Sequence, residues 1–170
     1  MQNTLDTTTC QTVRMGLLTP VAVKVGSISW MPTLLPQIVR CDKALQRLTR
    51  DRVGLLDIAG LPHITLRVSG RTTGIERSTE LLAVPDSGGW LIAGSYFGGP
   101  TTPQWVANVR AADSVIVVDH GRTSTMTAHE LTGDSRDNGW QKLRSVWPNF
   151  DLYEQRTDRL IPVFRLEPIG

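Results

Sequence analysis

The stretch "HITLRVSGRTTGIERSTELLAV", residues 63–84, decides the fold. Ile64, Leu66 and Val68 alternate with His63, Thr65 and Arg67. That period of two is what a strand with one buried face requires. "STELLAV" (78–84) reads as a second strand. Between them lies Ser69-Gly70-Arg71-Thr72-Thr73-Gly74, built from residues that turns use.

The same alternation continues downstream. "PDSGG" (85–89) is a turn and "WLIAGS" (90–95) a third strand. "PQWVANVRAA" (103–112) is a short helix with Pro103 at its start. "SVIVVD" (114–119) and "TSTMTAHEL" (123–131) flank the turn "HGR", which makes a hairpin. "GDSRDNGWQKLRSVWP" holds a helix capped near Asp134 or Ser135 and stopped by Pro148, and "DLYEQRT" adds a helical turn. "IPVFRLEP" (161–168) is the last strand. Six strands joined mostly by hairpins, with helices inserted between them, predict a mainly β fold: a small, partly closed barrel with peripheral helices. A Rossmann sheet is disfavoured, because helices do not alternate with strands and no G-x-G-x-x-G leads from a strand into a helix.

The 170 residues suffice for one domain with a proper core. Upstream, residues 1–27 are rich in threonine and poor in large apolar residues, and read as a disordered arm before a single domain at 28–170. No signal peptide is evident, and Pro20, Lys24, Pro32 and Pro36 break every apolar run short of a membrane span. "PQIVRCDKALQRLTR" (36–50) is an amphipathic helix with Ile38, Cys41, Leu45 and Leu48 on one face. Arg40, Lys43, Arg47 and Arg50 form a basic stripe. The segment reads as a docked helix with a solvated charged face, or else as a helix that rests on an anionic membrane or guards the entry for an apolar substrate.

A net charge of +2 argues against nucleic acid as a partner. Cys10 and Cys41 share no spacing with a histidine, and His63, His120 and His129 are scattered, so no metal site is expected. Two cysteines are too few for a disulfide scaffold, and a reducing, cytoplasmic setting is the default expectation. There is no G-x-S-x-G elbow for a nucleophile.

The chemistry gathers at the Gly-Arg-Thr-Thr-Gly turn. Its glycines allow backbone amides to converge, Ser69, Thr72 and Thr73 add hydroxyls, and Arg71 and Arg77 add guanidinium forks. Such a set suits a phosphate or carboxylate. It is also what an ordinary polar hairpin loop contains.

"SGRTTGIERSTELL", "AGSYFGGPTTPQWVANVRA", "ELTGDSRDNGW" and "YEQRTDRLIPVFRLEP" follow one another in this order. Together they resemble the deazaflavin-dependent nitroreductase family, the coenzyme F420-dependent oxidoreductases and quinone reductases of actinobacteria. The resemblance runs from about Leu55 to the end, with a weaker match from Ile28. It implies a six-stranded split β-barrel of the FMN-binding kind. It further implies hydride transfer from reduced F420 to a quinone, a nitroaromatic or another conjugated acceptor.

The family's coenzyme is a flat ring followed by a polyanionic tail. By resemblance Arg71, Thr72, Thr73, Gly74, Arg77, Thr79 and Leu81 hold it from one side. Ser95, Tyr96, Pro103, Trp105 and Asn108 form the second wall, with Trp105 open to plain core packing as well. Trp147, Phe150 and Tyr153 would line the acceptor pocket, or form a core stripe at helical spacing. Ser95 and Tyr153 are the candidate donors to charge developing on the acceptor.

The chain departs from the family's pattern. Thr72 stands where a lysine is usual, Tyr96 and Thr101 likewise, and Glu76 and Glu80 replace prolines. One charge-assisted hydrogen bond is worth roughly 1.5–3 kcal/mol, so the lysine missing at Thr72 is expected to weaken coenzyme binding about tenfold or more. Glu80 is expected to add like-charge repulsion. The losses leave two alternatives open: FMN as the cofactor, or a non-catalytic protein that binds a coenzyme or an apolar ligand. Any contact with a membrane is expected to be peripheral, and the oligomeric state is left open.

Overall fold

In a computed structural model that describes residues 60–169, the alternating segment becomes β1 (His63–Ser69) and β2 (Glu76–Asp86). Next come β3 (Gly89–Ala93), β4 (Val115–Asp119), β5 (Arg122–Glu130) and β6 (Val163–Pro168). The strands close into a barrel in the order β1-β2-β3-β6-β5-β4, every pairing antiparallel. Closure leaves no edge for another chain to extend. Helices α1 (Gln104–Arg110), α2 (Gly133–Val146) and α3 (Asn149–Gln155) lie outside the sheet order. The expected arm at 1–27, the basic helix at 36–50 and the single-domain boundary at 28 fall outside the described residues.

Two hairpins are tight for a local reason. Ser87 and Gly88 have φ of 50° and 80°, and His120 and Gly121 have 44° and 80°. Left-handed backbone at both central residues matches the twist of the flanking strands. The β1–β2 connection is longer. Its Gly74 N–H donates to the Gly70 carbonyl at 2.7 Å, and the Gly70 N–H to the Ile75 carbonyl at 2.9 Å.

Burial explains why some strands alternate and others do not. Ile64, Leu66 and Val68 of β1 point inward with Ala83, Ile92, Val115, Val117, Met126, Phe164 and Leu166, and Trp105, Val106 and Val109 of α1 join them. A second core lies outside the barrel wall. There Val84, Leu91 and Val163 meet Trp140, Leu143, Phe150 and Tyr153 from α2 and α3. β3 and β6 are therefore apolar on both faces, which is why "WLIA" and "VF" read as continuous apolar runs. Outside the barrel, buried Asp86 accepts from Lys142 of α2 and from Arg165 Nε at 3.0 Å, tying α2 to β2 and β6.

Antiparallel order collects the irregular segments at one end. The β1–β2 turn, the loop after β3, α1 and the segment before β6 all sit where β1, β3 and β5 finish. Arg110 of α1 makes a bidentate pair with Glu130 at the end of β5, at 2.6 and 2.7 Å. The two tight hairpins occupy the opposite end.

Candidate active site

The cradle forms at the irregular end, with α1 at its centre. The Arg71 N–H donates to Asn108 Oδ1 at 3.2 Å, and Arg71 Nη1 to Gln104 Oε1 at 3.3 Å. These bonds join the Gly-Arg-Thr-Thr-Gly turn to α1, so two stretches 30 or more residues apart make one wall. Thr72, Thr73 and Gly74 are exposed on it. Thr73 Oγ1 accepts from the Ile75 N–H at 3.3 Å.

Strand alternation decides which β2 side chains face the cradle. Ala83 and Leu81 pack on the interior core, so Thr79 and Arg77 continue the same face toward the rim. Their β1 partners, Leu66 and Val68, are interior residues too. Arg77 is exposed at that rim. The expectation about Glu80 is corrected by the same alternation. Glu80 and Glu76 lie on the outer face of β2, and the Glu80 carboxylate stands 3.5 Å from His63 Nε2.

The loop after β3 is strained in a specific way. Tyr96, Phe97 and Gly98 have φ of 49°, 55° and 77°. The Gly98 N–H donates to the Ser95 carbonyl at 3.0 Å and the Gly99 N–H to the Tyr96 carbonyl at 2.9 Å. The result is a short left-handed turn. Two consecutive aromatic residues in this region cost on the order of 1–3 kcal/mol each, so the surroundings must hold them. Phe97 packs on Tyr153, ring centroids 5.5 Å apart. Arg159 donates to the carbonyls of Gly99 (Nε, 3.0 Å), Gly94 (Nη1, 3.1 Å) and Ser95 (Nη2, 2.6 Å). Burial lowers the pKa of this guanidinium from the usual arginine value. Among the described residues, nothing accepts from the N–H of Ser95, Tyr96 or Phe97. Successive unpartnered amides of this kind make an anion-binding concavity.

Pro103 occupies the N-cap position of α1. Trp105 is buried against Phe164 with centroids 5.8 Å apart, the core position that was one of its two readings. Asn108 is buried and its carboxamide oxygen serves the Arg71 amide. Tyr96 is 40% exposed on the loop. Ser95, half-buried, precedes it.

Trp147, Phe150 and Tyr153 are all buried in the second core. Trp147 Nε1 donates to the Tyr153 hydroxyl at 3.2 Å. Burial pushes the Tyr153 pKa up, against hydrogen bonds from Trp147 and Asn149 and the charge of Arg156. The phenol therefore keeps its proton, and the hydroxyl accepts from Trp147 within this aromatic group. Phe97 bridges this aromatic group to the left-handed loop.

Arg159 and the Tyr96–Phe97 conformation were missed in the sequence. The carbonyls that Arg159 binds lie 60 to 65 residues upstream, and no local pattern reports such a contact. The signal available for the loop was Gly98-Gly99, which follows two bulky residues that disfavour positive φ.

Among the described residues no group of histidine, cysteine, aspartate and glutamate could hold a metal, and no helix is long and apolar enough to cross a membrane.

Residues 38–168, most of the chain, match the family described as F420H(2)-dependent quinone reductase. The chain is 29% identical over 130 residues to an F420H(2)-dependent quinone reductase of Mycobacterium tuberculosis, covering 75% of this chain and 87% of the relative. A solved F420-H2 dependent reductase, FDR-A, superimposes with a TM-score of 0.58 at 34% identity, covering 62% of this chain and 94% of that one. Another solved relative, described as a domain-swapped dimer, has a TM-score of 0.60 at 30% identity over 74% of this chain and 95% of that one. The barrel and these likenesses agree: the chain belongs to the F420H(2)-dependent quinone reductases, oxidoreductases of the split-barrel fold that use coenzyme F420.

Proposed function

We propose that the chain reduces a quinone with F420H2 bound at the irregular end of the barrel, and that nitroaromatic or other conjugated acceptors fit the same place. The observation that carries this reading is the set of amides at Ser95, Tyr96 and Phe97, unpartnered among the described residues and at the same end of the barrel as the exposed Arg77. A polyanionic coenzyme needs such donors, and the residues present fit one. The bound coenzyme supplies a hydride, since its deazaflavin ring has carbon where a flavin has its reactive nitrogen. The chain's residues hold, orient and exclude water. Arg71, Thr72, Thr73, Gly74 and Arg77 bind the anionic portion, with Thr79 and Leu81 behind them on β2. Ser95 and Tyr96 bind from the loop, and Pro103, Trp105 and Asn108 fix α1 beneath. Trp147 and Phe150 shape the acceptor side. Ser95 and Tyr153 donate to the acceptor oxygen as charge develops there. The basic stripe at 36–50 brings the protein to a membrane that carries the quinone.

Titration of the purified protein with F420, followed by quinone-dependent oxidation of F420H2, tests the reading. Tight binding with turnover supports it. A yellow protein that releases FMN on denaturation, or binding without turnover across an acceptor panel, overturns it.

Arg77→Ala is expected to raise the coenzyme dissociation constant about tenfold, the loss of one charge-assisted contact. The effect should shrink in high salt, because Arg77 is exposed. Arg122→Ala, at the opposite end of the barrel, is the control and should leave affinity unchanged. Equal effects of the two changes would reduce the cradle to general surface charge.

Tyr153→Phe keeps the ring on Phe97 and removes only the hydroxyl. Turnover should fall roughly a hundredfold to a thousandfold, the loss of one oriented donor, while coenzyme affinity holds. A rate equal to that of the unchanged protein would leave the hydroxyl as a structural partner of Trp147 and Asn149 only.

A further inference from the structure

A trans peptide unit points its C=O and its N–H in opposite directions. The Gly94 carbonyl belongs to the same unit as the Ser95 N–H, and the Ser95 carbonyl to the same unit as the Tyr96 N–H. Arg159 binds both carbonyls, at 3.1 and 2.6 Å. Both N–H groups must therefore point away from the guanidinium. They are among the amides that no described residue accepts from. The third bond, to the Gly99 carbonyl at 3.0 Å, closes the other side of the left-handed turn. One planar side chain thus spans the loop from Gly94 to Gly99.

We propose that Arg159 is a positioning residue for coenzyme binding: by holding the Gly94 and Ser95 carbonyls it turns the Ser95 and Tyr96 amides toward the anionic portion of F420. This rests on the proposed function. In this role Arg159 acts without itself contacting the coenzyme, since Nε, Nη1 and Nη2 are each engaged by a carbonyl. Its charge acts through two peptide units, because a cation on a carbonyl polarises the unit and makes the N–H at the other end a stronger donor. The fork matters as much as the charge. Nε, Nη1 and Nη2 each have their own carbonyl, a geometry that the single ammonium of lysine does not reproduce. Arg156 contributes less, with a donation to the Phe97 carbonyl at 3.5 Å.

The test compares two probes, intact F420 and the same deazaflavin chromophore without its phosphodiester and glutamate tail. Arg159→Lys and Arg159→Gln are measured for binding of each, together with thermal unfolding. Arg159→Lys should raise the dissociation constant for intact F420 at least about tenfold, and change that for the tailless chromophore by less than about threefold. In the unchanged protein, the amide resonances of Ser95 and Tyr96 should move downfield on saturation with F420 and stay in place with the tailless chromophore. Loss of both probes in equal proportion would reduce Arg159 to a structural tie, and unchanged F420 binding in both variants would remove it altogether. Should the variants fail to fold, amide resonances that ignore F420 in the unchanged protein still overturn the proposal. If the unchanged protein binds neither probe, the functional reading falls first, and the role of Arg159 with it.

Discussion

Phe164→Ala is expected to cost about 3–5 kcal/mol of stability, the range for emptying a large aromatic site in a core. That corresponds to a fall in the unfolding midpoint of about 6–20 °C for a chain of this size. Phe164 is 1% exposed and fills the barrel interior, and its ring meets Trp105 of α1. Removing it takes away the surface on which α1 rests. Because Asn108 and Gln104 of α1 hold the Arg71 turn, coenzyme affinity should weaken along with stability. Phe164→Leu, which keeps most of the volume, should show well under half the effect. A midpoint within about 2 °C of the unchanged protein for Phe164→Ala would contradict the barrel interior as the main core.

Gly98→Ala should have the next largest effect, for two reasons that can be separated. Its φ of +77° disfavours any side chain, at about 1–2 kcal/mol. A Cβ there would also stand 2.6 Å from the Tyr153 carbonyl oxygen and 2.9 Å from Tyr153 Cα. Backbone cannot yield as a flexible side chain does, so overpacking adds about 1–3 kcal/mol. Gly74→Ala isolates the first cost: φ is +67°, and nothing lies within 4 Å of the added carbon. Urea denaturation of the two variants should differ by the steric part. The Gly98 change should also weaken coenzyme binding, since it pushes the left-handed loop off α3. Equal destabilisation by both changes would mean that the loop moves freely over α3.

How much was legible depended on whether a signal was local. Ile64, Leu66 and Val68 announced β1 by their period, and the barrel followed from hairpins such as Asp119–Arg122. Boundaries slipped where backbone geometry overrode composition. The apolar run at 90–95 reads as strand to its end, yet β3 stops at Ala93: the Gly94 N–H still donates to the Pro162 carbonyl at 2.9 Å, but Pro162 has no N–H to return the bond. The helix read over 103–112 is shorter, Gln104–Arg110. The turn arginines were visible as a cluster, and alternation along β2 sorted Arg77 from Glu80 only once the inner face was known. Arg159 had no such signal. Its role exists only because the barrel brings the segment before β6 against the end of β3.

That β3 and β6 lie side by side, each burying both faces, has a thermodynamic corollary. Any opening of the interior exposes the far side of the same two ribbons, so the barrel contents and the helical jacket share a wall and cannot melt in turn. Heat should dissolve both compartments in a single step, and the amides of Leu91, Ile92 and Phe164 should be the last to exchange with deuterium.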